Sequence, residues 1–302
     1  MSAASRRDAL LALLGDLPPR DAAVKARVVE AGEHDGYWLE KLELDLNGIE
    51  KVPAFFVRPL EAEGRLPTVI YHHAHGGNHA LGKNELLESH AGVLLDEPYA
   101  RTLTQAGYAA LCIDAWCFGQ RNHSSEHDTF KAMLLRGQVL WGMMVFDALR
   151  AVDYLHTRDD VDTARIATTG FSMGSLASWW LAALEPRIKV CAEMCCLVDY
   201  ATLVDAGKLS EHNFYCYVPR LLKQFNTADI VGLIAPRAHL ACVGEQDPKA
   251  PLEGVAHVDA HVREVYARAG APEGWQLARF DCAHVETTAM RRTVMEFLQR
   301  QL

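Results

Sequence analysis

Gly170-Phe171-Ser172-Met173-Gly174 follows the strand-like run Arg165-Ile166-Ala167-Thr168-Thr169 and leads straight into Ser175-Leu176-Ala177-Ser178-Trp179, a helix-like stretch. A serine hydroxyl is a poor nucleophile until it is exposed on a sharp turn beside a base. Glycines two residues either side of Ser172 let the backbone make that turn and let the new helix pack close to its strand. Ser172 is therefore the candidate nucleophile, and a strand–turn–helix at this point predicts an α/β sheet.

Working outward, short and almost continuously apolar runs at 68–71, 108–113, 166–169, 188–192, 238–243 and 276–280 read as parallel strands covered on both faces. They are preceded by an antiparallel pair at 37–44 and 52–57, joined through Asn47-Gly48, a dipeptide favoured in tight turns. Helical patterns lie between: 99–106, bracketed by Pro98 and Gly107, then a long helix over 128–156 with Asp128 as its cap, then 174–184, 227–234, 252–269 and 287–302. The spacing predicts an α/β fold with about eight strands, mostly parallel, and helices on both faces. Residues 1–36 read as a helical extension, and 197–226 as an aromatic-rich insertion, longer than a simple connection, of the kind that forms lids. Nothing resembling a linker or repeat divides the chain, so 1–302 is expected to be a single domain.

Of the 302 residues, 30 are Lys or Arg and 39 are Asp or Glu, giving a net charge of −9, which argues against a nucleic-acid partner. The apolar run 9–14 is too short to span a bilayer, so no membrane association is expected. The eight cysteines lack paired metal-site spacing, and Cys112, Cys191 and Cys242 sit in apolar runs. Reduced, buried thiols in a cytoplasmic enzyme acting on a small molecule are the expectation, with a homo-oligomer left open.

If Ser172 is the nucleophile, an acid and then a base should follow it, each on the loop leaving a later strand. Asp247 leaves the next-to-last strand and His284 leaves the last. Glu245, Asp281, Asp199 and Glu193 are rival acids. Charge developing on a carbonyl oxygen needs backbone donors, one from Met173 and the other from Gly76 or Gly77 in the His72-His73-Ala74-His75-Gly76-Gly77 loop. His73 and His75 raise the question of a metal, but no nearby carboxylate is evident from the sequence, and neither metal nor cofactor is expected. His75, Trp116, Arg121 and Tyr215 are the expected ligand-facing side chains; Arg121 suits either a substrate carboxylate or an internal ion pair.

The H-G-G loop, Asp114-Ala115-Trp116-Cys117-Phe118-Gly119-Gln120-Arg121, the G-F-S-M-G elbow, the block 217–237 and Gly244-Glu245-Gln246-Asp247-Pro248 together resemble the α/β-hydrolase superfamily, nearest the dienelactone-hydrolase-like and acetyl-xylan-esterase-like branch. The resemblance spans residues 50–300. It implies a Ser172, Asp247, His284 triad and ester hydrolysis through an acyl-enzyme. Dienelactone hydrolases proper carry a cysteine nucleophile where this chain has Ser172, and the substrate stays open. A lactone hydrolase or a peptidase of the prolyl-oligopeptidase type shares the motifs; a non-catalytic binding protein would not be expected to keep all three groups.

Overall fold

In the computed structural model, which describes residues 2–302, the chain builds one nine-stranded sheet. Its strands are β1 (Lys25–His34), β2 (Tyr37–Asp45), β3 (Val52–Pro59), β4 (Leu66–His72), β5 (Ala109–Ile113), β6 (Val161–Phe171), β7 (Val190–Met194), β8 (Ala238–Gly244) and β9 (Trp275–Phe280). The order is β1-β2-β3-β5-β4-β6-β7-β8-β9. β1 to β3 run antiparallel, β3 meets β5 antiparallel, and every pairing from β5 through β9 is parallel.

Alternation along each strand sorts side chains into two apolar layers. Ile70, Leu111, Cys191 and Val243 face one layer, while Val69, Tyr71, Ala110, Ala192 and Cys242 face the other. The helices are α1 (Ala3–Ala12), α2 (Glu85–Glu88), α3 (Tyr99–Gln105), α4 (Glu126–Leu135), α5 (Leu140–Leu155), α6 (Met173–Leu184), α7 (Tyr200–Asp205), α8 (Thr227–Val231), α9 (Leu252–Arg268) and α10 (Thr288–Gln301). The first layer takes α5, α6 and α9 through Leu149, Trp179, Trp180 and Val258; the second takes α3 and α10 through Leu103, Val294 and Phe297.

Two expectations are corrected. The expected sheet of about eight mostly parallel strands has nine, and β1 lies inside the segment expected to be helical, where helix is confined to α1. β1 is exposed along nearly its whole length, with Val28 and Val29 more than half exposed, so it carries no buried face to imprint a period-two pattern. It is held by its ladder to β2 and by the ion pairs Arg27–Glu43 and Lys41–Glu30. The long helix over 128–156 is two helices, α4 capped by Ser125 rather than Asp128, and α5. The break at Gly137, where φ is +78°, is pinned from outside: Asp16 N–H donates to the Gly137 carbonyl and Gly15 bridges Gln138.

β4 has β5 on one side and β6 on the other, so the chain reverses its direction of winding between β4 and β6. Loops leaving the carboxyl ends of strands at such a reversal diverge and open a crevice. The His72–Gly77 loop and the Ser172 elbow flank it.

Candidate active site

The elbow forms because three backbones converge. Ser172 has φ +57° and ψ −116°, a conformation that costs an ordinary residue roughly 1–3 kcal/mol and persists only where the surroundings enforce it. Its N–H donates to the Met194 carbonyl at 2.9 Å, tying the turn to β7. A Cβ on Gly174 would lie 2.0 Å from the His72 carbonyl oxygen, and one on Gly170 would lie 2.5 Å from the same atom. Both glycines are thus set by the approach of α6 to the end of β4.

His284 and Asp247 arrive on the loops after β9 and β8. The Ser172 hydroxyl donates to His284 Nε2 at 2.8 Å, and His284 Nδ1–H donates to Asp247 Oδ2 at 2.7 Å. Asp247 is buried, and its other oxygen accepts the Lys249 N–H at 2.9 Å. Three of the rival acids have other partners: Asp281 accepts from Gln246 at the surface, Asp199 accepts from Thr202, and Glu193 lies beneath α6 between Ser175 and His239. The His284 loop is anchored by Glu286, whose buried carboxylate accepts the Tyr99 hydroxyl at 2.6 Å, the Leu95 N–H and the Arg291 guanidinium. Burial beside that carboxylate pushes the Tyr99 phenol well above its ordinary pKa.

The loop after β4 is held from below by Glu85, fully buried at the start of α2. It accepts the Tyr71 hydroxyl at 2.8 Å, the Ala74 N–H at 2.9 Å and His90 Nδ1–H at 2.8 Å. His90 in turn packs so closely under Gly76, where φ is +49°, that a Cβ there would meet its ring at 2.0 Å. Burial holds the His72 imidazole down to about 3 and lowers that of His73. Neutral His73 donates from Nδ1 to the Ala74 carbonyl and accepts the Ala115 N–H at Nε2, so both its nitrogens are spent on backbone.

The arrangement is a serine hydroxyl, an imidazole and a carboxylate in one hydrogen-bonded chain beside a glycine loop. Residues 34–230, which hold both the elbow and the loop, match the family model for acetyl xylan esterase (AXE1). The chain belongs to the acetyl xylan esterase family. It is 44% identical over 299 residues, 99% of each chain, to YtaP, an inferred hydrolase of Bacillus subtilis (strain 168). Its fold is shared with an inferred acetyl xylan esterase of Bacteroides fragilis NCTC 9343, at a TM-score of 0.73 and 18% identity, covering 98% of this chain and 81% of that one. A glucuronoyl esterase from Solibacter usitatus matches at 0.71 and 15%, covering 98% and 92%. The chain is thus an α/β-hydrolase and a serine carboxylic-ester hydrolase.

Within this esterase a cleft of about 370 Å³ opens over Ser172 and His284, lined also by His75, Gly76, Gly77 and Tyr215. Two expected ligand-facing residues lie elsewhere. Arg121 is buried in ion pairs with Glu50 at 2.6 Å and Asp147 at 2.9 Å, so its guanidinium is not offered to a substrate. Trp116 does not line the cleft: its ring lies under that guanidinium, whose carbon is 4.4 Å from the ring centroid. The insertion folds across the cleft's edge, with His212 donating from Nε2 to the Lys249 carbonyl at 2.8 Å and Tyr215 stacked on His75 at 5.4 Å. Neither Glu85 nor Glu286 carries a signature in the sequence. Each is a single glutamate on a loop or helix start, and only Glu286, two residues beyond His284, had a positional cue.

Proposed function

We propose that Ser172, His284 and Asp247 act as one catalytic unit that cleaves small or medium esters through an acyl-enzyme, with acetyl esters of hydroxyl-rich alcohols such as sugars as the favoured class. The continuous hydrogen-bonded chain from Ser172 Oγ through His284 to Asp247 carries this reading. The family match supports the substrate class.

As Oγ attacks the carbonyl carbon, His284 Nε2 takes the hydroxyl proton; it returns that proton to the departing alcohol when the tetrahedral adduct collapses. Asp247 stays ionised, keeps the Nδ1–H tautomer and stabilises the imidazolium. The Met173 amide, at the amino end of α6, and an amide of the Gly76-Gly77 pair receive the negative oxygen. Water then attacks the acyl-Ser172 ester by the same proton route in reverse. Residues 1–302 form a single catalytic domain in this reading, and 197–226 is its lid. Its eight buried free thiols suit a reducing compartment, which we take to be the cytoplasm.

Turnover of p-nitrophenyl acetate, simple lactones and acetylated sugars by the wild type and four variants tests it. Ser172→Ala should lose turnover, and Asp247→Asn should lose about 10⁴-fold in kcat, while Asp281→Asn and Asp199→Asn stay near the wild type. Near-normal turnover in Asp247→Asn with collapse in either of the others would reassign the acid.

A further inference from the structure

His75 lines the cleft, yet its contacts specify a task other than holding a ligand. The buried carboxylate of Glu126, at the first position of α4, lies 2.9 Å from His75 Nε2, and its second oxygen accepts the Tyr215 N–H at 3.2 Å. His75 Nδ1 accepts the Gly77 N–H at 3.0 Å. A nitrogen that accepts carries no proton, so neutral His75 is the Nε2–H tautomer, donating to Glu126. The Asn213 side-chain amide nitrogen, Nδ2, lies 2.6 Å from the same Nε2; turning the amide over places its oxygen there instead, where it shares that proton. Tyr215 stacks on one face, and His79 and Phe118 meet the ring edge-on.

Resting on the esterase reading above, we infer that Glu126 and His75 form a positioning dyad: the carboxylate fixes the imidazole tautomer, and Nδ1 then holds the Gly77 amide, leaving the Gly76 amide as the loop's donor to the reacting oxygen. Gly76 and Gly77 both have positive φ, +49° and +73°, so the loop has alternatives to relax into once the restraint is gone. Through Tyr215 N–H and Asn213 the same dyad ties the oxyanion loop to the insertion, so the catalytic geometry and the closure of the cleft share one anchor.

The alternative occupant is a metal ion, since His75, His79 and Glu126 bring three ligand atoms within 4.8 Å of one another. His79 is oriented for such a part, with Nδ1–H donating to the Cys117 carbonyl. Ligation through His75 Nε2 would move its proton to Nδ1, where it would face the Gly77 N–H donor to donor. The Gly77 hydrogen bond therefore selects the dyad over the metal.

Three variants and one titration decide it. His75→Phe keeps the ring on Tyr215 but removes the acceptor; His75→Asn restores an oxygen near the position of Nδ1; Glu126→Gln keeps one of the two acceptor oxygens. In proteins of unchanged thermal midpoint, His75→Phe should lower kcat for p-nitrophenyl acetate roughly tenfold to a hundredfold, within the loss expected when one oxyanion donor is weakened, with KM changed less than about threefold. His75→Asn should regain part of that kcat, and Glu126→Gln should fall between the wild type and His75→Phe. Wild-type kcat in His75→Phe, or stoichiometric Zn²⁺ binding by calorimetry that Glu126→Gln abolishes, would overturn the dyad. An inactive wild type would instead refute the esterase reading, because the variants are scored only against wild-type turnover.

Discussion

At the scale of single residues, the site depends on close backbone approach as much as on reactive groups. Gly174 is the clearest case: a methyl group there meets the His72 carbonyl at 2.0 Å, and neither α6 nor β4 can yield without moving Ser172. Gly174→Ala should therefore cost about 1–3 kcal/mol by urea denaturation, in the range of overpacking, and should lower kcat more than stability alone explains. Unchanged denaturation and turnover would mean that the elbow tolerates a wider turn. This scale was also the most legible in the sequence. Ser172, Asp247 and His284 could be read because their order and their places after strands are dictated by the architecture. Glu85 and Glu286 could not, because the positions they support are set by loop conformations with no periodic signature.

At the scale of elements, each segment was legible to the extent that it buries a face. β4, β5, β7, β8 and the second half of β6 are covered on both sides and appear as apolar runs, whereas β1 buries almost nothing and left no pattern. The split between α4 and α5 was hidden for a related reason: the break is fixed by the remote Gly15 and Asp16, and the apolar stripe continues across it. α10 shows the opposite extreme. Val294, Phe297 and Leu298 are wholly buried against the second face of the sheet, close to β7 and β8. Phe297→Ala should destabilise the protein by about 3–5 kcal/mol, the usual cost of emptying an aromatic site in a core. A loss under about 1 kcal/mol in urea denaturation would show that α10 contributes little to the fold.

Across the whole molecule, neutral imidazoles held out of water contribute to the response to acid. His72 is held down to about 3 and His73 and His212 are lowered, in each case chiefly by burial. The unfolded chain takes up these protons near the ordinary histidine value of 6.5, while the folded chain resists. Folding stability is therefore intact above that value and declines as the pH falls below it, for His72 down toward 3, by up to about 1.4 kcal/mol per pH unit for such a group. Thermal midpoints should stay level from pH 8 to 7 and drop below about 6.5, and His72→Phe should make the drop shallower. An identical pH dependence in that variant would remove His72 from the account.

In the mechanism we propose, the molecule delivers one hydroxyl, that of Ser172, to one carbonyl carbon, and covalent trapping tests that most directly. After reaction with an alkyl fluorophosphonate, intact mass and peptide mapping should show a single adduct on Ser172, complete loss of esterase turnover in step with labelling, and no adduct in folded Ser172→Ala. Persistent ester hydrolysis in Ser172→Ala, or labelling at another residue that abolishes turnover, would contradict the account.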